Sequence, residues 1–326
     1  MDHSGETSLG LESALDRARD DLASLDGRHI VLTGGTGFVG TWLLELVTRA
    51  SDDLAIAPRV LVASRRAARF ARVRPHLAQH RIVELLAHDV RDGPPATGPV
   101  DLVVAAAASP LVPGDDASET EMRATADAGA RLVRALVERD GCRALYLSSG
   151  AASAVPPDAY GRAKLDAEAQ LGAGSAGSAP VAVVARLYTF VGPYLPLDGP
   201  FAVGNFLRDA LASRTLEVRG DGTQVRSYLY AADLAWWCWS LAVRGVPGTR
   251  YDVGSPDPVT IADLARSVAR LATPPSKVVV HGRPTASSAP SAYLPDLTTS
   301  RALGLAPTVD LDDALSRTFR WHRRAR

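Results

Sequence analysis

The sequence predicts an α/β fold: a parallel sheet covered by helices on both faces, followed by a smaller C-terminal α/β region. Three observations carry this. Short β-branched runs alternate with helix-length amphipathic stretches from His29 to Leu187. The runs are apolar without strict alternation, as in strands buried on both faces. A glycine-rich turn joins the first run to the helix after it.

Leu11, Leu15, Ala18, Leu22 and Leu25 fall three and four apart and make one apolar stripe, so residues 11–25 are expected to form a helix packed on the main domain. His29–Leu32 reads as a strand, and Trp42–Ala50 as a helix behind the glycine turn. Val60–Ala63, Ile82–Leu86 and Val100–Ala108 read as further strands. Arg123–Arg139 is a predicted helix with Leu132, Val133, Leu136 and Val137 on one side. Ala144–Leu147 is a strand, Asp158–Leu171 a helix and Val181–Leu187 a strand. Gly172–Ala179 is a Gly/Ala/Ser loop, expected to be flexible and exposed. Beyond Leu187, prolines 193, 196 and 200 break the pattern, and shorter elements run to a basic tail, His322–Arg326, read as a solvated end.

The composition is that of an ordinary globular protein, 46% hydrophobic and 22% charged over 326 residues. With 36 basic and 36 acidic residues the net charge is zero, which gives no reason to expect nucleic acid or an anionic membrane surface as partner. Cys142 and Cys238 lie far apart without metal-ligand spacing. They read as inert thiols in a reducing compartment, and no metal site is expected. No run reaches the roughly 18 apolar residues of a membrane span. Met1–Gly10 is polar, unlike a secretory signal, so a cytoplasmic location is expected.

The turn reads Thr33-Gly34-Gly35-Thr36-Gly37-Phe38-Val39-Gly40, with Gly34, Gly37 and Gly40 spaced as G-x-x-G-x-x-G. Glycine lets the backbone approach a pyrophosphate closely, and the helix that follows aims free N–H groups and its positive dipole end at it. This predicts a Rossmann-type, doubly wound dinucleotide domain. Ser64, Arg65 and Arg66 end the second strand, where an acid commonly holds the ribose hydroxyls of NAD. Arginine suits a 2′-phosphate, so NADP is favoured, with NAD possible. His88-Asp89-Val90 brings Asp89 toward the adenine, and Ala105–Ala108, Ala107 among them, supply small side chains beside the middle of the cofactor.

Tyr160 and Lys164 stand four apart on a predicted helix and share a face. A lysine cation close to the phenol favours the phenolate, which is expected to lower the tyrosine pKa. The pair can then pass a proton to or from a hydroxyl while hydride moves. Ser149, at the end of a strand, is placed to hydrogen-bond the same oxygen.

The glycine loop, Ser149 and Tyr160-x-x-x-Lys164 together resemble the extended short-chain dehydrogenase/reductase family, which includes UDP-galactose 4-epimerase and dTDP-glucose 4,6-dehydratase; the likeness runs from about Gly27 to Trp321. With residues 1–26 as a helical extension read from their own periodicity, the resemblance implies a dinucleotide domain over 27–188 and a partly interleaved substrate-binding region over 189–326. It implies a nucleotide-sugar substrate and a homodimer formed through helices beside the catalytic one. By resemblance, Gly204-Asn205-Phe206 is a diphosphate loop, and Leu216–Gly220, with Val218, is the strand beside the base. Arg226-Ser227-Tyr228 supplies a diphosphate arginine, Asp233 caps a helix, and Tyr293 and Asp296 touch the nucleotide. Trp236, Trp237 and Trp239 read as core.

The chain also departs from the pattern. Ser149 and Tyr160 are only eleven positions apart, and Thr189 stands where relatives often carry an asparagine. Ser149-Gly150-Ala151 lacks the two acids with which 4,6-dehydratases move protons at C5 and C6, which counts against dehydration. The expected activity is redox chemistry at C4 of a nucleotide sugar, as a 4-ketoreductase or 4-epimerase. A 4,6-dehydratase or a reductase of a non-sugar carbonyl is the alternative. A non-catalytic cofactor-binding sensor is disfavoured because both Tyr160 and Lys164 are present.

Overall fold

The computed structural model describes residues 4–109, 116–173, 181–283 and 291–324. Most of the expected Gly172–Ala179 loop and the last two residues of the basic tail lie outside them.

Along the chain come α1 (Ser4–Ala23), β1 (His29–Thr33), α2 (Phe38–Asp53), β2 (Arg59–Ala63), α3 (Ala67–Val73), α4 (Pro75–Ala78), β3 (Val83–Leu86), β4 (Leu102–Ala105), α5 (Asp116–Asp140), β5 (Arg143–Ser149), α6 (Ala159–Gln170) and β6 (Val183–Leu187). There follow β7 (Phe190–Val191), α7 (Ala202–Leu211), β8 (Leu216–Val218), β9 (Val225–Arg226), β10 (Leu229–Tyr230), α8 (Ala231–Arg244), β11 (Arg250–Val253), β12 (Val259–Thr260), α9 (Ile261–Ala269), β13 (Val278–Val280), β14 (Ala292–Tyr293), α10 (Thr298–Ala302) and α11 (Leu311–Arg324). The chain divides into two compact units. The larger comprises Ser13–Leu187 and Ala235–Val253; the smaller comprises Met1–Glu12, Tyr188–Leu234 and Gly254–Arg326.

The larger unit is built on a seven-stranded sheet in the order β11-β6-β5-β4-β1-β2-β3, every neighbouring pair parallel. The order reverses at β1, which pairs β2 on one side and β4 on the other. In such sheets the crevice at the carboxyl ends of the strands, where the order reverses, is the natural ligand site. The strands read as continuous apolar runs because helices cover both faces. Ile30, Val31, Leu32, Val103 and Val104 are at most 1% exposed. On α2, Trp42, Leu43, Leu46 and Val47 are buried, and the Leu43 carbonyl accepts from Trp239 Nε1 at 3.0 Å. On α5, Leu132, Val133 and Leu136 pack with Val103 and Tyr146 in one core cluster. The predicted stripe of α1 is buried at Leu15, Ala18 and Leu22, and Trp236, Trp237 and Trp239 are core residues as expected.

One predicted strand is cut short. Val100–Ala108 pairs only over Leu102–Ala105, because Ala106–Ala108 leave the ladder and turn into the cleft.

The smaller unit holds short sheets, β10-β7, β12-β9-β14 and β13-β8, packed with α7, α9 and α11. The Asp233 carboxylate accepts from the Thr308 N–H at 2.9 Å, the Thr308 hydroxyl at 2.7 Å and the Val309 N–H at 3.2 Å. It therefore anchors the chain ahead of α11.

Candidate active site

A cleft of about 270 Å³ opens at the switch point of the larger unit. Gly34, Gly37, Phe38, Val39 and Gly40 line one side, and Ser64, Arg65, Arg66, Asp89, Val90 and Ala107 the other. The sheet order brings together every residue that the sequence reading assigned to the phosphate and adenosine ends of a cofactor.

The three glycines do different work. Gly34 has φ +67°, and a Cβ there would stand 2.6 Å from the Ala106 oxygen and from Ala107 backbone atoms. A Cβ on Gly40 would stand 2.4 Å from Gly35 Cα, so this glycine lets α2 close on the turn. Gly37, the residue before α2, is different: its Cβ would meet only the Gly34 oxygen, at 3.5 Å. Protein packing does not require glycine at 37. The open space above it lies in the cleft, at the N-terminus of a sixteen-residue helix whose first N–H groups have no partner within the helix. A pyrophosphate fits this cradle in both shape and charge.

At the end of the cleft bordered by Ser64–Arg66, Arg91 donates to Asp89 Oδ1 at 3.0 Å and Oδ2 at 2.6 Å and keeps its carboxyl down at a pKa of about 2. Arg65 Nη1 donates to Glu121 Oε1 at 2.6 Å. Ser109 and Thr125, both 4% exposed, support that carboxylate. The sequence reading missed Ser109, Glu121 and Thr125. The i, i+4 spacing of Glu121 and Thr125 at the start of α5 was the signal that could have found the last two.

Two strands along, β5 ends at Ser149. Its Oγ accepts from the Ala151 N–H at 3.2 Å, capping a short 3₁₀ turn over Gly150–Ser153. The Ser149 side chain lies close enough to the Tyr160 phenol to lower its pKa. Asp158 caps α6 by accepting from the Gly161 N–H at 2.7 Å. A Cβ on Gly161 would come within 2.3 Å of the Ala151 oxygen, so the first turn of α6 rests directly on the chain leaving Ser149. This explains how eleven positions suffice between Ser149 and Tyr160. Val155, in that connection, is 97% exposed.

Lys164 is 3% exposed; its Nζ donates to the Leu147 carbonyl at 3.1 Å and stands 5.9 Å from the centre of the Tyr160 ring. Burial lowers its pKa to about 8, with Glu168 acting in the opposite sense. It is therefore mostly cationic at neutral pH. The expectation that Lys164 lowers the Tyr160 pKa is corrected: burial, the largest influence, raises it, the Ser149 hydrogen bond lowers it, and Asp158 raises it. The cost of burying a phenolate outweighs the favourable contacts.

Behind this trio, Glu168 is fully buried one turn beyond Lys164. It accepts from Ser148 at 2.6 Å, Arg186 at 2.9 and 2.7 Å and Arg250 at 2.9 Å. One carboxylate thus ties α6 to β5, β6 and β11.

The residues assigned to substrate lie in the smaller unit. Asn205 and Phe206 sit within α7, a helix and not a loop; Asn205 Oδ1 accepts from Arg208 at 2.8 Å and Phe206 is buried. Val218 is buried at the end of β8. Arg226 on β9 pairs in register with Tyr293 on β14 and stands 5.6 Å from its ring centre, while Tyr188 packs on the same ring at 4.8 Å. Asp296 Oδ1 accepts from the Thr298 N–H at 3.0 Å and hydroxyl at 2.7 Å. The Thr189 hydroxyl donates to the Ser227 carbonyl. Among the described residues no group of acids, histidines and cysteines is placed to hold a metal ion, and no helix is long and apolar enough to cross a membrane.

Comparisons with known proteins agree with this architecture. UDP-glucuronic acid decarboxylase 1 of Danio rerio is 25% identical over 322 residues, covering 93% of this chain and 74% of that protein. UDP-glucuronic acid decarboxylase 2 of Arabidopsis thaliana is 26% identical over 310 residues, covering 89% and 67%. Among solved structures, epimerase Mth375 of Methanothermobacter thermautotrophicus superposes with a TM-score of 0.78 at 20% identity, covering 95% of this chain and 96% of that one. The Bordetella bronchiseptica enzyme WbmF, solved with NAD+ and UDP, gives 0.75 at 17% identity, covering 93% and 94%. At such identities the structural likeness speaks for the fold. The sequence model of one enzyme family matches residues 30–254, from β1 to just past β11, which span the glycine cradle, Ser149, Tyr160 and Lys164. This chain therefore belongs to the NAD dependent epimerase/dehydratase family.

Proposed function

We propose that the protein oxidises or reduces C4 of a nucleotide-activated sugar, as a 4-epimerase or 4-ketoreductase. The observation that carries the reading is the Ser149–Tyr160–Lys164 arrangement on the same sheet edge as the glycine cradle. A bound nicotinamide supplies the hydride acceptor or donor. Tyr160 exchanges the proton of the C4 hydroxyl. Ser149 donates to the oxygen of the pair and orients it. Lys164, mostly cationic at neutral pH and held by the Leu147 carbonyl one helical turn from Tyr160, brings a positive charge to the reacting end of the site. Gly34, Gly37, Phe38, Val39 and Gly40 hold the pyrophosphate; Ser64, Arg65, Arg66, Asp89, Val90 and Ala107 border the adenosine half and the middle of the cofactor. Arg65 and Arg66 speak for NADP, whereas the engagement of Arg65 by Glu121 speaks for NAD. Asn205, Phe206, Val218, Arg226 and Tyr293 form the substrate side, with Arg226 the diphosphate cation. A homodimer through helices beside α6 belongs to the same reading.

A second reading is supported by the activity named for the relatives. Oxidation at C4 of a nucleotide-linked uronic acid makes a β-keto acid. The C5–C6 bond can then break, carbon dioxide leaving as its electron pair moves into the C4 carbonyl, and the enolate takes a proton at C5. That bond cleavage does not require the acids missing after Ser149.

The test is to incubate the protein with nucleotide sugars, their 4-keto forms and UDP-glucuronic acid, with NADH, NADPH, NAD+ or no added cofactor. Products are read by mass spectrometry and proton NMR. Turnover of a sugar nucleotide, reduced 10²- to 10⁴-fold by Tyr160→Phe as loss of a general acid–base implies, is the expected result. Full activity of Tyr160→Phe refutes the catalytic assignment, and inertness toward the whole panel refutes the substrate class.

A further inference from the structure

We propose that Glu121 sets the cofactor preference of the cleft: it latches Arg65 onto α5, so that the site favours a dinucleotide without a 2′-phosphate. The inference rests on reading the cleft as a dinucleotide site and goes beyond it by naming a specificity-determining residue outside the motifs.

Arg65 follows β2, the position from which a cation reaches a 2′-phosphate. Its guanidinium, however, is already docked. Nη1 donates to Glu121 Oε1 at 2.6 Å and Nη2 to Ser109 Oγ at 3.3 Å. The seat is built before Arg65 arrives. Ser109 donates to the same Glu121 oxygen at 3.2 Å, the Thr125 hydroxyl donates to the Glu121 main-chain carbonyl at 2.8 Å, and the two hydroxyl oxygens stand 3.0 Å apart. Both hydroxyl residues are 4% exposed, so the carboxylate rests on buried structure on one side while the Arg65–Glu121 pair itself stays half-exposed. Arg65 and Ser109 hold the Glu121 carboxyl below its usual range, so it stays ionised at neutral pH.

The remaining charges near this end do not replace Arg65. Arg91 is spent on Asp89, and Asp89 stands 4.0 Å from Arg65, adding a second negative charge. Only Arg66 makes no side-chain ion pair among the described residues. A 2′-phosphate entering here would meet two carboxylates and one uncommitted guanidinium. To recruit Arg65 it would have to break the latch. A ribose hydroxyl meets no such opposition.

The experiment measures NADH and NADPH affinity by fluorescence titration of the full chain. We expect the wild type to bind NADH more tightly than NADPH. Glu121→Gln keeps the shape and removes the charge; it is expected to tighten NADPH about fivefold, one part-exposed charge–charge contact, and to leave NADH within about twofold. Adding Arg65→Ala to Glu121→Gln is expected to abolish the gain, which separates a released arginine from a general change of field. Thermal melting of each variant confirms folding, as expected for a half-exposed pair. A wild type that prefers NADPH, or an affinity ratio unmoved by Glu121→Gln, overturns the proposal. Binding of neither nucleotide overturns the dinucleotide reading itself, a different and recognisable outcome.

Discussion

Two alanine substitutions in the same turn are expected to fail in opposite ways. In Gly40→Ala the new methyl would stand 2.4 Å from Gly35 Cα, 2.6 Å from Gly35 C and 2.7 Å from the Gly34 oxygen. All three are backbone atoms and cannot swing aside. Overpacking of this kind costs about 1–3 kcal/mol, partly offset by the better helix propensity of alanine in α2, about 0.5–1 kcal/mol. In Gly37→Ala the nearest atom is 3.5 Å away and φ is −82°, a value that alanine adopts without strain. The fold loses only the difference between glycine and alanine at a helix cap, below about 1 kcal/mol. The methyl then occupies the space reserved for phosphate. Urea unfolding and calorimetric titration with NADH separate the two effects. Gly37→Ala should keep near-native stability and lose at least about tenfold in affinity, whereas Gly40→Ala should lose stability first. Native NADH affinity in a folded Gly37→Ala protein would refute the assignment of the cradle. Undiminished stability in Gly40→Ala would refute the packing argument.

Glu168→Ala leaves Arg186 and Arg250 facing each other without their shared anion, and we expect it to destabilise the larger unit by about 3–5 kcal/mol, read by chemical denaturation. A loss below about 1 kcal/mol would mean that water supplies what the carboxylate now does. Lys164 and Lys277 are the only lysines in the chain, so carbon-13 labelling gives two resolvable titrations. Lys164 should titrate near 8 and not near 10.5. Because its folded pKa is depressed, its burial costs stability fully below pH 8, and that cost fades as pH rises toward 10.5. Lys164→Met should therefore gain relative stability at neutral pH and lose that advantage through this window. A Lys164 titration near 10.5 would show its ammonium to be solvated.

Much of the fold was legible because its determinants are local. The β-branched runs at β1, β2 and β5 and the apolar stripes of α1 and α5 follow from the periods of strand and helix. The glycine turn announced a strand-to-helix junction with open space before the helix, since backbone geometry at Gly34 and space at Gly37 depend on a few neighbouring residues. Tyr160 and Lys164 were found from a single helical turn. Ala106–Ala108 were misread as strand because composition does not reveal where a ladder stops. Gly204–Phe206 read as a loop by the family resemblance, whereas they lie in α7, where the Pro196 carbonyl, 2.8 Å from where a Cβ would stand, gives the glycine a packing reason.

What the sequence determined by itself was the sheet-and-helix alternation, the glycine turn between β1 and α2, and the shared helix face of Tyr160 and Lys164. Tertiary structure alone decided which charges meet: Glu168 reaches arginines 18 and 82 positions away, and Glu121 reaches Arg65 across 56. Strand order, not sequence spacing, sets those distances, and burial then decides their consequence. The same desolvation that pushes Tyr160 up pushes Lys164 down, because water stabilises a phenolate and an ammonium alike.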